Sequence, residues 1–162
     1  MTKKRRVLQK AVLSAFGITI VWKLCKKLMK KEYNVELARS NKFKAYYNLL
    51  NQWLVINQEG KSLEQYFINN NYKTIAIYGV GNLGKRLYEE LKNSSIKVKY
   101  AIDRDTSNKL MDLEVFSVED VLEDVDVIVV TPVFAFEEIE FEINSNYDFP
   151  IVSLGDIIEK LS

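Results

Sequence analysis

The spacing of apolar residues differs from one region to the next along this chain of 162 residues. From residue 73 onward, short apolar runs that are typical of buried strands alternate with segments of helical spacing. Strands that are buried on both faces form parallel sheets covered by helices, and right-handed crossovers then give the order 3-2-1-4-5. We therefore predict an α/β fold with about five parallel strands for residues 73–161. The predicted strands are 74–78, 98–102, 113–116, 127–130 and 151–154; the predicted helices are 83–91, 137–143 and 156–161, with a short helix opened by 117–120.

The segment before the first strand, residues 36–71, has the spacing of a helix. Apolar residues recur there at i, i+1, i+4 and i+5, which places them on one side of a helix. Gly60 is a typical helix stop, and Ser62 followed by Gln65 matches a capping box that opens a second, short helix. We expect both helices to pack on the following domain, with Trp53 and Leu54 buried against it or against a second subunit. The apolar side comprises Leu49, Leu50, Trp53 and Leu54, extended by Phe43, Tyr46 and Tyr47.

Residues 1–32 combine an apolar run at 11–22 with a lysine-rich stretch. At about 100° per residue, the apolar and lysine side chains of residues 21–31 fall on opposite faces of a helix. The run of 12 residues is short against the roughly 20 of a bilayer span. We expect a cationic amphipathic arm on an anionic membrane surface, with a single membrane span, docking on another protein or a frayed tail as alternatives. Its apolar face comprises Val21, Leu24, Cys25, Leu28 and Met29.

Charge is divided unevenly between this arm and the rest of the chain. Ten of the 23 Lys and Arg residues lie at positions 1–31, where there is no Asp or Glu, so the remainder carries 13 Lys and Arg against 22 Asp and Glu. The acidic remainder argues against nucleic acid as a partner of the globular part. Cys25 is the single cysteine, which excludes an internal disulfide and a cysteine-cluster metal site. Histidine is absent, which removes the usual general base near neutral pH and favours a chain that is not an enzyme by itself.

The predicted strand 74–78 runs directly into the glycine-rich sequence 79–84, and a predicted helix follows. In this context a G-x-G-x-x-G sequence binds nucleotide phosphates: Gly79 permits the tight turn, Gly81 lets a phosphate approach the backbone, and Gly84 allows close helix packing. The helix N-terminus then offers N–H groups to an anion. The pattern is that of a small Rossmann-like domain, and a tight turn without a ligand is the alternative. The loop residues assigned to cofactor binding are Gly79, Gly81, Asn82, Leu83 and Gly84.

Three further residues follow predicted strands, at the sheet edge where ligands of open parallel sheets bind. Asp103 ends the second strand, 19 residues after Gly84, a distance at which an acidic side chain accepts hydrogen bonds from ribose hydroxyls. Arg104 follows it and can stack on an adenine or meet a 2′-phosphate, so both NAD and NADP stay open as the cofactor. Thr131 follows the fourth strand and can touch the far half of a dinucleotide. The alternative for all three is an ordinary loop role.

Much of the chain, about residues 40–158, resembles a small Rossmann-like domain of bacterial capsule and surface-polysaccharide biosynthesis proteins, often described as nucleoside-diphosphate-sugar epimerase-like. The similar stretches are residues 73–91, 100–105, 115–120 and 125–132. The resemblance implies NAD(P) or nucleotide-sugar binding by the glycine loop and a ribose role for Asp103. It implies no catalytic residue, because the downstream catalytic half of those epimerases has no counterpart in the chain.

We therefore hypothesise an accessory module that binds NAD, NADP or a nucleotide sugar in surface-polysaccharide biosynthesis, without a metal. We expect it to be cytoplasmic and peripheral at the inner face of the cell membrane, through residues 1–32. A polysaccharide-biosynthesis enzyme is the expected protein partner, oligomers are compatible with the sequence, and nucleic acid is not an expected partner. The alternatives are an epimerase- or oxidoreductase-type subunit completed by a partner chain, and a structural scaffold with a vestigial glycine loop.

Overall fold

The computed structural model describes the backbone of residues 3–110 and 112–162, and the side chains of residues 22, 23, 25–110 and 112–162. The chain divides into two units, Met1–Tyr46 and Tyr47–Ser162. Its first helix, α1 (Lys3–Gln58), belongs to both. The sequence predicts two helical segments in this range. They form one helix because no Gly or Pro, the residues that most strongly disfavour a helix interior, lies between residues 18 and 59.

The first unit exposes most of the side chains that the structure describes in it, residues 22, 23 and 25–46. Leu28 is 65% exposed and Met29 is 61% exposed, and the thiol of Cys25 is free and exposed. The lysines of this stretch are exposed as well. In the portion of the chain that the structure describes, no helix has the length and apolar character needed to cross a membrane.

The second unit contains a five-stranded sheet in the order 3-2-1-4-5, with all neighbouring strands parallel. This confirms the predicted α/β fold and strand order. The strands are β1 (Thr74–Tyr78), β2 (Lys97–Ile102), β3 (Val115–Phe116), β4 (Val127–Val130) and β5 (Ile151–Ser153), and the helices are α2 (Leu63–Asn69), α3 (Asn82–Leu91), α4 (Phe136–Asn144) and α5 (Leu154–Leu161).

The central strands β1 and β4 explain the apolar runs of the sequence. All four residues of β4 and four of the five residues of β1 are buried. Side chains of a strand alternate between the two faces of the sheet, so both faces must be covered by helices. On one face, Ala76 and Tyr78 pack in a cluster that includes Ile139 and Ile143 of α4.

The carboxyl-terminal part of α1 packs with a narrower face than the sequence predicts. Leu49, Trp53 and Ile56 are buried, and the indole N–H of Trp53 donates to Glu90 Oε2 at 2.6 Å. Leu54 is 55% exposed, so its predicted burial against the sheet domain is wrong, whereas that of Trp53 is confirmed. Leu49, Trp53 and Ile56 have i, i+4 and i+7 spacing and therefore lie on one face of the helix. Leu54 follows Trp53 directly and is rotated about 100° from it, away from that face.

The short helix predicted to follow Ser62 is present as α2. Two other local predictions, the capping bond of Ser62 and a helix opening at residues 117–120, are wrong. Ser62 is the N-cap residue of α2 but makes no side-chain capping bond; instead the N–H of Leu63 donates to Glu90 Oε1 at 2.7 Å. The helix predicted to open at residues 117–120 is absent. Ser117 and Asp120 close a turn there, because the N–H of Ser117 donates to Asp120 Oδ2 at 2.7 Å and the N–H of Asp120 donates back to the carbonyl of Ser117 at 3.1 Å.

Candidate functional site

The glycine loop, residues 79–84, joins β1 to α3 at the carboxyl edge of the sheet. Gly79 has a φ of +96°, a left-handed conformation that residues with side chains rarely adopt. A Cβ atom on Gly79 would also lie 2.8 Å from Thr131 Oγ1 and 2.8 Å from Pro132 Cδ. The packing of the protein itself therefore requires the first glycine of the motif.

The other two glycines of the motif differ in the space around them. A Cβ atom on Gly84 would collide with the carbonyl oxygen of Gly79, so α3 can approach β1 this closely only without a side chain there. A Cβ atom on Gly81 would meet no atom within 4 Å, and the Gly81 φ of −70° is accessible to any residue. Packing and backbone conformation account for Gly79 and Gly84 but not for Gly81.

The amino terminus of α3 is suited to an anion. Gly81 is its N-cap residue, without a side-chain capping bond, and the first turn contains no acidic residue. Asn82 is exposed, whereas Leu83 is buried and can offer a ligand only its backbone N–H. Lys85 and Arg86 are exposed directly after the third glycine and add positive charge to the helix N-terminus. The site predicted from the sequence does not include Lys85 and Arg86. Their position directly after the glycine motif, at a predicted helix N-terminus, would have indicated them as anion-binding residues.

Asp103 lies at the end of β2, beside the glycine loop. Its Oδ2 accepts a hydrogen bond from the N–H of Val80 at 2.9 Å, and its Oδ1 accepts one from the N–H of Asp105 at 3.0 Å. The N–H of Asp103 donates to the carbonyl of Phe116 at 3.0 Å. The carboxylate therefore ties the glycine loop to the end of β2. A carboxylate oxygen has two lone pairs, so each can accept a further bond from a hydroxyl donor.

Arg104 is paired with α4. Its Nη2 lies 2.7 Å from Glu138 Oε1 and 2.9 Å from Glu142 Oε2. Hydrogen bonds to Glu138 and then to Glu142 raise the pKa of Arg104 above its ordinary value. In this arrangement two carboxylates neutralise the charge of Arg104, although its side chain stays 58% exposed. The two glutamates lie 34 and 38 residues further along the chain, a tertiary pairing that sequence spacing does not reveal.

The hydroxyl of Tyr78 is a buried polar group at the same edge. Tyr78 is 3% exposed, and its hydroxyl makes no hydrogen bond within the residues that the structure describes. Burial, followed by the negative charge of Glu142, raises the pKa of Tyr78, whereas the positive charge of Arg104 and a hydrogen-bonding interaction with its guanidinium lower it, so Arg104 approaches this hydroxyl without the geometry of a full hydrogen bond. An unpaired buried hydroxyl costs about 1–3 kcal/mol, so such groups are uncommon and call for a partner. In the sequence, the feature that points to this residue is a tyrosine, with its polar hydroxyl, at the last position of an otherwise apolar strand.

Thr131 is part of the support of the loop. It is 3% exposed, and its hydroxyl oxygen lies within donating distance of two acceptors, the carbonyls of Tyr78 at 3.1 Å and Gly79 at 3.0 Å. Its N–H also donates to the carbonyl of Tyr78 at 3.0 Å. The hydroxyl therefore holds the end of β1 and the first glycine in place and is directed at the protein backbone.

A cavity of about 490 Å³ lies beyond the carboxyl ends of β4 and β5. Its polar lining includes Glu137, Glu138, Ser153 and Asp156. Three carboxylates repel a phosphate but accept hydrogen bonds from hydroxyl groups. Within residues 3–110 and 112–162, no group of three or more His, Cys, Asp or Glu residues is arranged to hold a metal ion.

These residues fit a nucleotide at some points and not at others. The open space at Gly81 and the α3 N-terminus suit a phosphate. A 2′-phosphate would compete with Glu138 and Glu142 for Arg104.

Comparison with known proteins adds no assignment to this geometry. No protein-family model matches the chain, and neither the curated proteins nor the solved structures contain a match to it. The case for a ligand site stands on the contacts of the loop and its neighbours.

Proposed function

We propose that the glycine loop binds the phosphate of a nucleotide-type ligand, NAD(P) or a nucleotide sugar, and that the chain is an accessory binding module. Gly81 is the observation that carries this proposal. It has open space where a side chain would be and a backbone conformation that does not need glycine. A phosphate that approaches the backbone at this point would give a reason for glycine, because any Cβ atom would stand in its way.

The neighbours of Gly81 support the same ligand class. Lys85 and Arg86 add positive charge to the N-terminus of α3, which by itself favours an anion. Asp103 would accept hydrogen bonds from a ribose while it keeps its bond to Val80. NAD would supply a hydride acceptor when bound, and the residues of this chain would bind and orient it.

A structural scaffold is the second candidate, and particular bonds favour it. Both carboxylate oxygens of Asp103 and the hydroxyl of Thr131 already bond to the backbone of the loop region. In a scaffold these bonds would only shape the turn between β1 and α3. The scaffold explains glycine at position 81 only as the N-cap residue of α3, and it leaves the unpaired Tyr78 hydroxyl without a reason.

The proposed setting is bacterial surface-polysaccharide biosynthesis at the cytoplasmic face of the membrane. The pathway is supported by the sequence resemblance described above. The location is supported by the arm of residues 1–32, with ten cationic residues in its first 31 positions. Each Lys or Arg near an anionic membrane contributes about 1 kcal/mol of attraction, screened by salt. Exposed Leu28 and Met29 would add an apolar term.

Calorimetric titration of the purified chain tests the ligand. We expect NAD or a nucleotide sugar to bind at millimolar concentration or below, and Gly81→Val to abolish this binding with unchanged helix content. Asp103→Ala should weaken NAD binding by about 1–3 kcal/mol. Gly155→Ala is the matched control, because it also lies at the start of a helix at this sheet edge and its Cβ would make ordinary contacts of 3.4 Å or more. Absence of binding of NAD, NADP, nucleotide sugars and coenzyme A to the wild-type chain would favour the scaffold.

Sedimentation with lipid vesicles tests the location separately. The full chain should pellet with vesicles that contain anionic lipid at low salt, and less with neutral ones. Leu24→Glu together with Leu28→Glu should release it, because the two carboxylates would interrupt the apolar face. Val121→Glu is the control, since Val121 is 94% exposed and lies outside the arm. Equal pelleting of the arm variant and the control would point to partner docking instead of lipid.

A further inference from the structure

The cavity beyond the carboxyl ends of β4 and β5 is not needed for the phosphate contacts proposed above. Its volume of about 490 Å³ is within the range of roughly 300–1,000 Å³ for small-molecule sites. All of its lining lies in the second unit, between Val133 and Glu138 and around the start of α5. Four of its eight lining residues are polar, a large share for a small-molecule pocket, so its ligand must match polar groups.

The carboxylates of the cavity exclude one class of ligand and suit another. Glu137 and Asp156 have no ion-pair partner among the residues that the structure describes, and Glu138 shares its Oε1 with Arg104. Their oxygens accept hydrogen bonds from hydroxyl groups, whereas their charge repels a phosphate or another carboxylate. A group that binds in this cavity therefore carries hydrogen-bond donors and no negative charge.

Ser153 is a buried polar residue in the lining of the cavity. It is only 5% exposed. Its Oγ accepts a hydrogen bond from the N–H of Gly155 at 3.1 Å, but its own proton has no acceptor among the described residues. Buried hydroxyls normally donate their proton, so a ligand oxygen in the cavity would supply the missing acceptor. The cavity thus offers a donor as well as acceptors, a combination that a hydroxyl-bearing ligand matches.

The cavity adjoins the glycine loop. A Cβ atom on Gly79 would lie 2.8 Å from Pro132 Cδ, and the next residue, Val133, lines the cavity. In the sheet β1 is the neighbour of β4, and β4 is the neighbour of β5. Neighbouring strands lie about 4.8 Å apart, so the loop and the cavity are within roughly 10 Å of each other. One ligand can therefore reach both.

We propose that the cavity binds the hexose of a nucleoside diphosphate sugar whose phosphate lies at Gly81, an inference that rests on the proposed function. The order of the strands matches the order of the parts of such a ligand. Asp103 follows β2 and suits the ribose, Gly81 follows β1 and suits the diphosphate, and the cavity beyond β4 and β5 suits the hexose. Charge changes in the same order, because Lys85 and Arg86 lie beside the phosphate position and the carboxylates line the cavity.

The polar lining favours a hexose over the nicotinamide half of NAD. Nicotinamide is a planar aromatic ring, and small-molecule pockets that hold such groups are lined mainly by apolar side chains. A hexose carries several hydroxyls, each of which can donate to a carboxylate or accept from Ser153. Phe134 and Phe136 supply aromatic surface in the same lining, and the C–H groups of a sugar ring can pack on it. A hexose therefore uses both the polar and the apolar residues of the cavity.

Calorimetric titration of the full chain with matched ligands tests the proposal. The probes are the diphosphates of uridine, guanosine, adenosine and thymidine, the glucose ester of each, and NAD. For at least one base, the glucose ester should bind at least about tenfold more tightly than the diphosphate alone, the effect of one hydrogen bond to a charged group. The glucuronate ester of the same nucleoside diphosphate should lose this gain, because the carboxylates of the cavity repel its carboxylate.

A pair of charge-removing substitutions locates the gain in the cavity. Glu137→Gln with Asp156→Asn should bring the affinity of the glucose ester close to that of the diphosphate alone, and should bind the glucuronate ester more tightly than the wild type does. The matched control, Glu140→Gln with Glu159→Gln, removes the same charge from the same two helices outside the cavity. It should keep the wild-type ratio between the two affinities.

The possible outcomes separate this inference from the proposed function. Equal affinities for every diphosphate and its glucose ester, with binding that Gly81→Val abolishes, would overturn the hexose site and leave the phosphate site standing. A larger gain for NAD over adenosine diphosphate than for any glucose ester, lost on substitution of Glu137 and Asp156, would assign the cavity to the nicotinamide half and also overturn the proposal. Absence of binding by every probe would overturn both.

Discussion

The two sides of the glycine loop are built differently. On the side that faces β4 and the body of α3, Gly79 and Gly84 have no room for a side chain, and Thr131 bonds to the loop backbone. On the side at the start of α3, Gly81 has open space around it. One motif thus contains glycines that packing requires and one that packing does not, and only the latter argues for a ligand. The following predictions test this distinction between filled and open positions.

The largest effect is expected near the carboxyl terminus of α1, where two neighbouring residues differ in burial. Trp53 is 5% exposed and bonds to Glu90, whereas Leu54 is 55% exposed. Trp53→Ala should lower the free energy of unfolding by about 3–5 kcal/mol, since it leaves a large cavity and an unpaired glutamate oxygen. Leu54→Ala should change it by less than about 0.5 kcal/mol, since most of its side chain is exposed. Urea denaturation measures both, and similar values for the two would contradict the packing described here.

The next largest difference in the free energy of unfolding is expected between substitutions of two glycines in the loop. Gly84→Ala should lower the free energy of unfolding by about 3 kcal/mol, because its methyl group collides with the Gly79 carbonyl and forces α3 away from β1. Gly81→Ala should cost less, about 0.5–1 kcal/mol, because its methyl group points into open space and only the preference for glycine at the N-cap is lost. Denaturation curves of the two variants give the comparison. Comparable losses would mean that Gly81 is also a packing residue.

Tyr78→Phe should change the free energy of unfolding in the opposite direction, by raising it. The Tyr78 hydroxyl is buried without a hydrogen-bond partner in the described structure, so its removal should stabilise the free protein by about 1–2 kcal/mol. If the hydroxyl serves a ligand, the same substitution should weaken binding. Thermal melting with and without nucleotide reports both effects. A destabilised Tyr78→Phe variant would show that the hydroxyl has a structural partner.

The smallest effect concerns acid stability at the opposite end of the strands. The backbone N–H groups of Lys73 and then Thr74 donate to the carboxylate of Asp126 and lower its pKa. Because the pKa is lower in the folded than in the unfolded protein, this contribution is present above the ordinary aspartate range and is lost as the pH falls through the folded value. Asp126→Asn should cost about 1 kcal/mol at neutral pH and less in acid. A constant difference across that pH range would contradict the linkage.

The parts of the fold that a local pattern determines were predictable from the sequence. The apolar runs at β1 and β4 and the glycines after β1 identified the parallel sheet and its order, because burial on both faces leaves no polar positions in a strand. The turn at residues 117–120 was missed because its Ser and Asp side chains form a turn as readily as they cap a helix. Propensity alone does not decide between the two.

The site was predictable only in part, since several of its contacts join distant segments. Asp103 was assigned to a ribose from its position after β2, but its bond to Val80 depends on how the loop folds back. Arg104 meets Glu138 and Glu142 only because α4 covers this end of the sheet. Tyr78 was read as a strand residue, and its unpaired hydroxyl emerges only once the neighbours around it are known.

The most direct test of the central claim, phosphate binding at Gly81, is a two-dimensional amide NMR titration of the full chain with NAD or a nucleotide sugar. We predict that the amide signals of Gly81, Asn82, Leu83 and Gly84 shift together and saturate, and that they stay in place when the ligand is added to Gly81→Val. Signals that do not move at millimolar ligand, or shifts confined to the residues around the cavity beyond β4 and β5, would contradict the account.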